Sequence, residues 1–161
     1  MNETWEKAIK LVLDYEGRTY ENDPKDLGGE TKFGISKKAY PSIDIRNLTE
    51  DEAKAIYRRD YWDAVMGDQL PDKLAISVFD CAVNQGTGRA IRLLQSVLEI
   101  EADGKIGPQT LAAAKASDDN TAWMYLLQRA RLYMGTKTVE YWGANWGLRL
   151  VKLAREIFPK V

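Results

Sequence analysis

The sequence predicts a mainly α-helical chain with one short β element after the first helix. Apolar residues recur at three- and four-residue spacing along most of the chain, the signature of amphipathic helices. One stretch, residues 18 to 35, breaks that period with Asn22, Asp23, Pro24, Asp26, Gly28 and Gly29, all turn formers. The length of 161 residues fits a single domain, which should bury about 70% of the surface its unfolded chain exposes.

The first helix is read over residues 3 to 16, where Trp5, Ala8, Ile9, Val12 and Leu13 share a face and Gly17 supplies a stop. The segment ETKFGI that follows the turn formers is the one good β candidate, a strand or hairpin arm. Thr49 and Glu52 form a capping box, and the helix they start should run to about Trp62, burying Ala53, Ile56 and Tyr57. Pro71 suits the first turn of a third helix with Leu74, Ala75, Val78, Phe79, Ala82 and Val83 inward. Gly86 and Gly88 interrupt it, and Gly86-Thr87-Gly88 is the most plausible internal boundary. A fourth helix carries Ile91, Leu94, Val97 and Leu98; after the turn ADGKIGP an Ala-rich helix begins at Pro108. Asp119 or Asn120 can cap the next helix, with Trp123, Leu126, Leu127, Ala130 and Tyr133. The last helix has the stripe Val139, Trp142, Trp146, Leu150, Leu153 and Ile157.

Composition excludes several chemistries. No histidine is present, so Ser-His-Asp and Cys-His nucleophile systems and imidazole zinc sites are out. The single cysteine, Cys81, rules out an internal disulfide and reads as a small core filler. Proton transfer must then fall to carboxylates, Lys or Tyr. Lys+Arg of 23 against Asp+Glu of 24 leaves no strong field for nucleic acid. No apolar run approaches the roughly 18 residues of a membrane span, and the start lacks the pattern of a secretory signal. No metal or cofactor is implied.

The chemistry concentrates in DYEGRTYENDPKDLGGETKFGIS, residues 14 to 36. Glu16 ends an amphipathic helix, half against a core and half facing a cleft, where desolvation can raise a carboxyl's pKa towards that of a general acid. Asp23, Asp26 or Glu30 on the following segment can fold back opposite it, and Thr31 can hold a water. Two carboxylates across a gap are the minimum for cleaving a glycosidic bond. The plainer alternative is a helix-end acid and an ordinary Asp-Pro turn. Asp80 and Asn84, four apart on a core-like helix, are either a structural pair or part of a cleft wall. Among aromatics, Tyr20, Tyr57 and Trp62 are the cleft candidates, whereas Trp142 and Trp146 fall on an apolar stripe. Arg58 and Arg59 read as a solvated face, with Asp60 or Asp63 in pairing reach.

The run Y-E-G-x-x-Y-x-N-D-P-x-D-x-G-G-E-T-K-F-G-I-S resembles the opening motif of glycoside hydrolase family 108, lysozyme-like muramidases of bacteria and phages. The family's E-G-G-Y is Glu16-Gly17-Arg18-Thr19-Tyr20 here: Arg18 replaces the second glycine and Tyr20 falls one residue late. LTEDEAKAIYRRDYWD and FDCAVNQG resemble its second and third blocks. Asp103-Gly104-Lys105-Ile106-Gly107-Pro108-Gln109-Thr110-Leu111 resembles the repeat of peptidoglycan-binding modules. In physical terms Gly104 allows a left-handed turn, Ile106 plugs the core and Pro108 starts a helix.

The resemblance implies a lysozyme-like fold with a catalytic segment over 1–87 and a peptidoglycan-binding-like segment over 88–161, packed as one globular unit. It implies hydrolysis of the β-1,4 bond between N-acetylmuramic acid and N-acetylglucosamine, with Glu16 as general acid. Asp26 is the expected second carboxylate, with Asp23 as the alternative, and Thr31 the water holder. Tyr20, Asp23, Tyr57, Trp62, Asp80 and Asn84 are the expected substrate contacts. The partner would be peptidoglycan glycan strands, acted on by a monomer without nucleic acid or membrane insertion. The apparent lack of a leader suggests a phage endolysin, made in the cytoplasm and acting on the cell wall. The competing readings are a non-catalytic wall-binding or secretion-accessory protein and a lytic transglycosylase.

Overall fold

The computed structural model describes residues 2–22, 29–135 and 139–159, and of 139–143 the backbone only. Helix α1 spans Glu3–Glu16. Asn2 caps it by accepting from the Thr4 N–H at 3.0 Å, and Glu3 and Glu6 sit at the positive end of its dipole. It ends at Gly17, whose φ of +83° a side chain would resist. Glu16 is therefore the last helical residue, one step from where the chain turns away.

Strands β1 (Thr31–Lys32) and β2 (Ile35–Ser36) pair antiparallel, with Thr31 opposite Ser36. Both residues between them have positive φ, Phe33 at 54° and Gly34 at 75°, as a two-residue type I′ hairpin requires. Glu21 joins the hairpin through a bridge to Thr31.

Helix α2, Glu50–Tyr57, starts with the complete capping box of Thr49 and Glu52. The expected continuation to Trp62 exists, but as a π-helical turn over Arg58–Trp62 in which the Asp63 N–H reaches back to Arg58 O at 2.9 Å. The wider turn swings Trp62 inward, edge-on to Trp5 and Phe79 with ring centroids 5.3 and 5.4 Å away. Gly67 lies flat on that indole, and an added Cβ would sit 2.4 Å from its ring.

Helix α3, Asp72–Gln85, runs through the middle of the molecule and is buried without a break from Leu74 to Ala82. Pro71 stands at its N-cap, one residue earlier than expected. Helices α4 (Thr87–Val97), α6 (Asp119–Met134) and α7 (Val139–Ile157) pack against it, and α5 (Pro108–Ala116) lies between α4 and α6 in the chain. The cap of α6 is Asp118, because that side chain receives the Thr121 N–H. Leu150, Leu153 and Ile157 bury the inner face of α7, and Trp146 is half-buried, stacked on Tyr133. Trp142 lies outside the described side chains. Cys81 is fully buried, as a core filler should be. No helix among the described residues is long and apolar enough to cross a membrane.

Candidate active site

Glu16 projects from the end of α1 towards α7. Its side chain is 25% exposed and its Oε1 accepts from Arg149 Nη1 at 2.8 Å. Among the described residues Oε2 has no hydrogen-bond partner. The hairpin closes the other side. A Cβ on Gly34 would lie 2.8 Å from Glu16 Cβ and 2.7 Å from the Tyr57 hydroxyl, so only glycine fits between them. The Tyr57 hydroxyl donates to Phe33 O at 2.8 Å and pins the hairpin turn against the helix end.

Behind Arg149 lies Asp80, 1% exposed. It accepts Arg149 Nε at 2.9 Å and, from the opposite side, Arg129 Nη1 at 2.6 Å. Burial alone would push the Asp80 carboxyl upwards, but Arg129 and Arg149 hold it below the ordinary carboxylate range. Burial likewise works against both guanidinium charges, and Asp80 overrides it. Arg129 Nε also donates to the Tyr133 hydroxyl at 2.8 Å, which donates to Asn84 Oδ1 at 2.7 Å. The result is a chain of contacts from α1 through α7 to α3 and α6. Beside it, a cavity of about 350 Å³ is lined by Tyr15, Asn84, Asn145, Trp146, Arg149 and Lys152. The Tyr15 ring lies under the Arg149 guanidinium, and burial, with help from Asp80, pushes its hydroxyl up to about 12.

The expected site residues are distributed unevenly over this geometry. Thr31 is half-buried in β1, its hydroxyl donating to Gly29 O at 3.3 Å. Tyr20 donates to Glu30 Oε1 at 2.7 Å, and Arg46 covers its ring. Glu30 is thus engaged rather than solvated. Asp23 and Asp26 lie outside the described residues. Asn84 borders the cavity with its side-chain carbonyl held by the Tyr133 hydroxyl.

Three expected substrate contacts are corrected. Trp62 is 0% exposed, drawn into the core by the π-helical turn, with its indole N–H on Asp68. Tyr57 is 3% exposed and its hydroxyl is consumed by Phe33 O, so it supports the hairpin from beneath. Asp80 is 1% exposed and sealed between two arginines, Arg129 and Arg149. Of the neighbouring cations, Arg58 pairs with Asp63 and Asp68, and Arg59 with Asp60. Arg18, the departure from the motif, stays on the surface and pairs with Asp14 and Glu50.

Sequence reasoning missed Arg149 and Arg129. The signal was present for Arg129, which occupies an inward position of α6 in the series Ala122, Tyr125, Leu126, Arg129, Tyr133. A cation on an apolar stripe, in a chain with an acid on another apolar helix, calls for a buried pair.

The comparisons with known proteins agree with this architecture. The family model described as glycosyl hydrolase 108 matches residues 9–86, which contain Glu16, the hairpin and Asp80. The solved structure of Brucella abortus SagA is 30% identical, with a TM-score of 0.85 over 99% of this chain and 96% of that one. The chain belongs to the glycosyl hydrolase 108 family. This family member has a mainly α-helical, lysozyme-like fold with its small β element directly after the first helix. A second model, described as "Predicted Peptidoglycan domain", matches residues 89–138. Together the two segments make this family 108 protein a peptidoglycan hydrolase. No curated protein matches the chain.

Proposed function

We propose that the protein is an N-acetylmuramidase that hydrolyses the β-1,4 bond between N-acetylmuramic acid and N-acetylglucosamine, with Glu16 as general acid. One observation carries the reading. Glu16 is a partly exposed carboxylate at a helix end, held through one oxygen by Arg149 while the other has no hydrogen-bond partner among the described residues. A general acid needs that arrangement: a fixed position and a free oxygen to carry the proton.

Glu16 protonates the glycosidic oxygen as the bond to the sugar C1 breaks through an oxocarbenium-like transition state. A water oriented by Thr31 attacks C1, and its proton passes to Asp26, with Asp23 as the alternative. An attacking water implies inversion, for which carboxyl groups stand roughly 6.5–9.5 Å apart, against roughly 5–5.5 Å for retention. Tyr20 and Asn84 are the sugar or peptide contacts that the fold leaves accessible. The 88–161 segment completes the fold and presents the wall-binding motif, and the cellular role is that of a phage endolysin acting as a monomer on the bacterial wall.

The test is release of new reducing ends from purified peptidoglycan by the wild type and by Glu16→Gln. Wild-type release and a loss of several orders of magnitude in the variant are expected. Wall binding by both without release would replace the enzyme with a binding protein. Anhydro-muropeptides in mass spectrometry would replace hydrolysis with lytic transglycosylation.

A further inference from the structure

The buried side of the Glu16 contact holds more charge than a single ion pair needs. Arg149 spans two carboxylates, giving Nη1 to Glu16 at 2.8 Å and Nε to Asp80 at 2.9 Å. Its Nη2 lies 2.8 Å from Asp80 Oδ1 in ionic contact, without hydrogen-bond geometry. Asp80 in turn is shared with Arg129, whose side chain is fully buried. Two cations and two carboxylates therefore balance, and three of the four sit out of water. Every other ion pair among the described residues is between partly exposed side chains.

We propose that Asp80 is a positioning residue for Glu16: by taking Nε of Arg149 it restricts that arginine to one hydrogen bond on Glu16 Oε1 and offsets its charge, so that Oε2 can carry the proton used in catalysis. The proposal rests on the reading of Glu16 as the general acid. Removing Asp80 frees the full arginine fork, which is shaped to grip a carboxylate at both oxygens. It also leaves two cations against Glu16 alone, which makes protonating Glu16 harder. Removing Arg129 instead leaves two carboxylates against Arg149 alone, and protonating Glu16 becomes easier. Among the described residues the titratable and charged groups around this cluster are Tyr15 beside Glu16, Tyr57 from α2, Asp80 and Cys81 from α3, Arg129 and Tyr133 from α6, and Arg149, Lys152 and Glu156 from α7, with burial pushing the Cys81 thiol up. None of the tyrosines changes charge near neutral pH, so the sign is set by the arginines and carboxylates.

The experiment is the pH dependence of kcat/KM on soluble peptidoglycan fragments for the wild type, Asp80→Asn, Arg129→Gln and Glu16→Gln, with each fold checked by circular dichroism. The high-pH limb, which reports loss of the acid's proton, should move to lower pH by about one unit in Asp80→Asn. It should move to higher pH in Arg129→Gln. In Asp80→Asn, kcat at pH 7 should fall about tenfold with KM within about twofold. Folded variants whose limbs stay in place, or move the same way, overturn the proposal. If Asp80→Asn does not fold, the sign is read on Arg129→Gln alone, where an unmoved or lowered limb overturns it. Glu16→Gln with wild-type turnover removes the acid reading and this proposal together. An inactive Glu16→Gln beside unmoved limbs removes the proposal only.

Discussion

The polar network around Gln95 and the one around Asp80 are both buried, yet they differ in charge and in reach. Gln95 is neutral and serves its own neighbourhood: its amide donates to Asp103 at 2.7 Å and to Lys105 O at 2.9 Å, and its carbonyl accepts from the Gly104 N–H at 2.8 Å. Its most distant partner is Thr110, 15 residues on. Asp80 is charged and joins helices that are far apart in sequence, Arg129 49 residues away and Arg149 69. The first network shapes one turn, the left-handed corner at Gly104 between α4 and α5. The second decides where the catalytic candidate stands. A local network centred on a neutral side chain can be altered at a cost in stability alone, whereas a long-range one centred on a charge couples stability to the site.

The largest difference between the two should come from Arg149→Met. It leaves Asp80 to Arg129 alone and Glu16 unheld, so a loss of about 3 kcal/mol in urea denaturation is expected from the lost charged hydrogen bonds, with a fall in reducing-end release of at least 10²-fold. A variant that keeps its turnover would break the comparison. Next comes Gly34→Ala, which forces a Cβ into the contact of Tyr57 with Glu16 at a positive φ. About 1–3 kcal/mol should be lost, and kcat should fall because the hairpin and Glu16 cannot both keep their places. Gln95→Leu should cost about 1–3 kcal/mol by orphaning the Gly104 N–H, while turnover per folded molecule stays at the wild-type level. A loss of turnover there would erase the distinction.

Acid sharpens the comparison further. The folded Asp80 carboxyl titrates below its unfolded value, so its contribution is complete above the ordinary carboxylate range and is lost as pH falls through the lowered value. Urea midpoints measured from pH 5 down to pH 2 should drop steeply in the wild type and less steeply in Asp80→Asn. The smallest effect belongs to Arg18→Gly. Its pairs with Asp14 and Glu50 are exposed, and neither melting temperature nor turnover should change measurably.

The local chemistry was legible before the structure. The Gly17 stop, the Thr49-Glu52 box, a β element in ETKFGI and the Gly104 corner are each written within a few residues. What depends on distant partners was not. Trp62 read as an accessible aromatic because a π-helical turn has no periodic signature, and one extra residue per turn redirects the side chain. Asp80 stayed open between a structural pair and a cleft residue because nothing near it in sequence announces the two arginines. Arg149 escaped notice because exposed apolar side chains, Leu148 and Val151, flank it and blur the inner face of α7.

The hydrogen bond between Glu16 and Arg149 joins residues 133 positions apart. During synthesis Glu16 is made well before its holder, Arg149. A ribosome-bound chain therefore carries Glu16 long before anything fixes it, and the hairpin alone cannot complete the grip. The proposed acid thereby lacks its arginine until translation has passed residue 149.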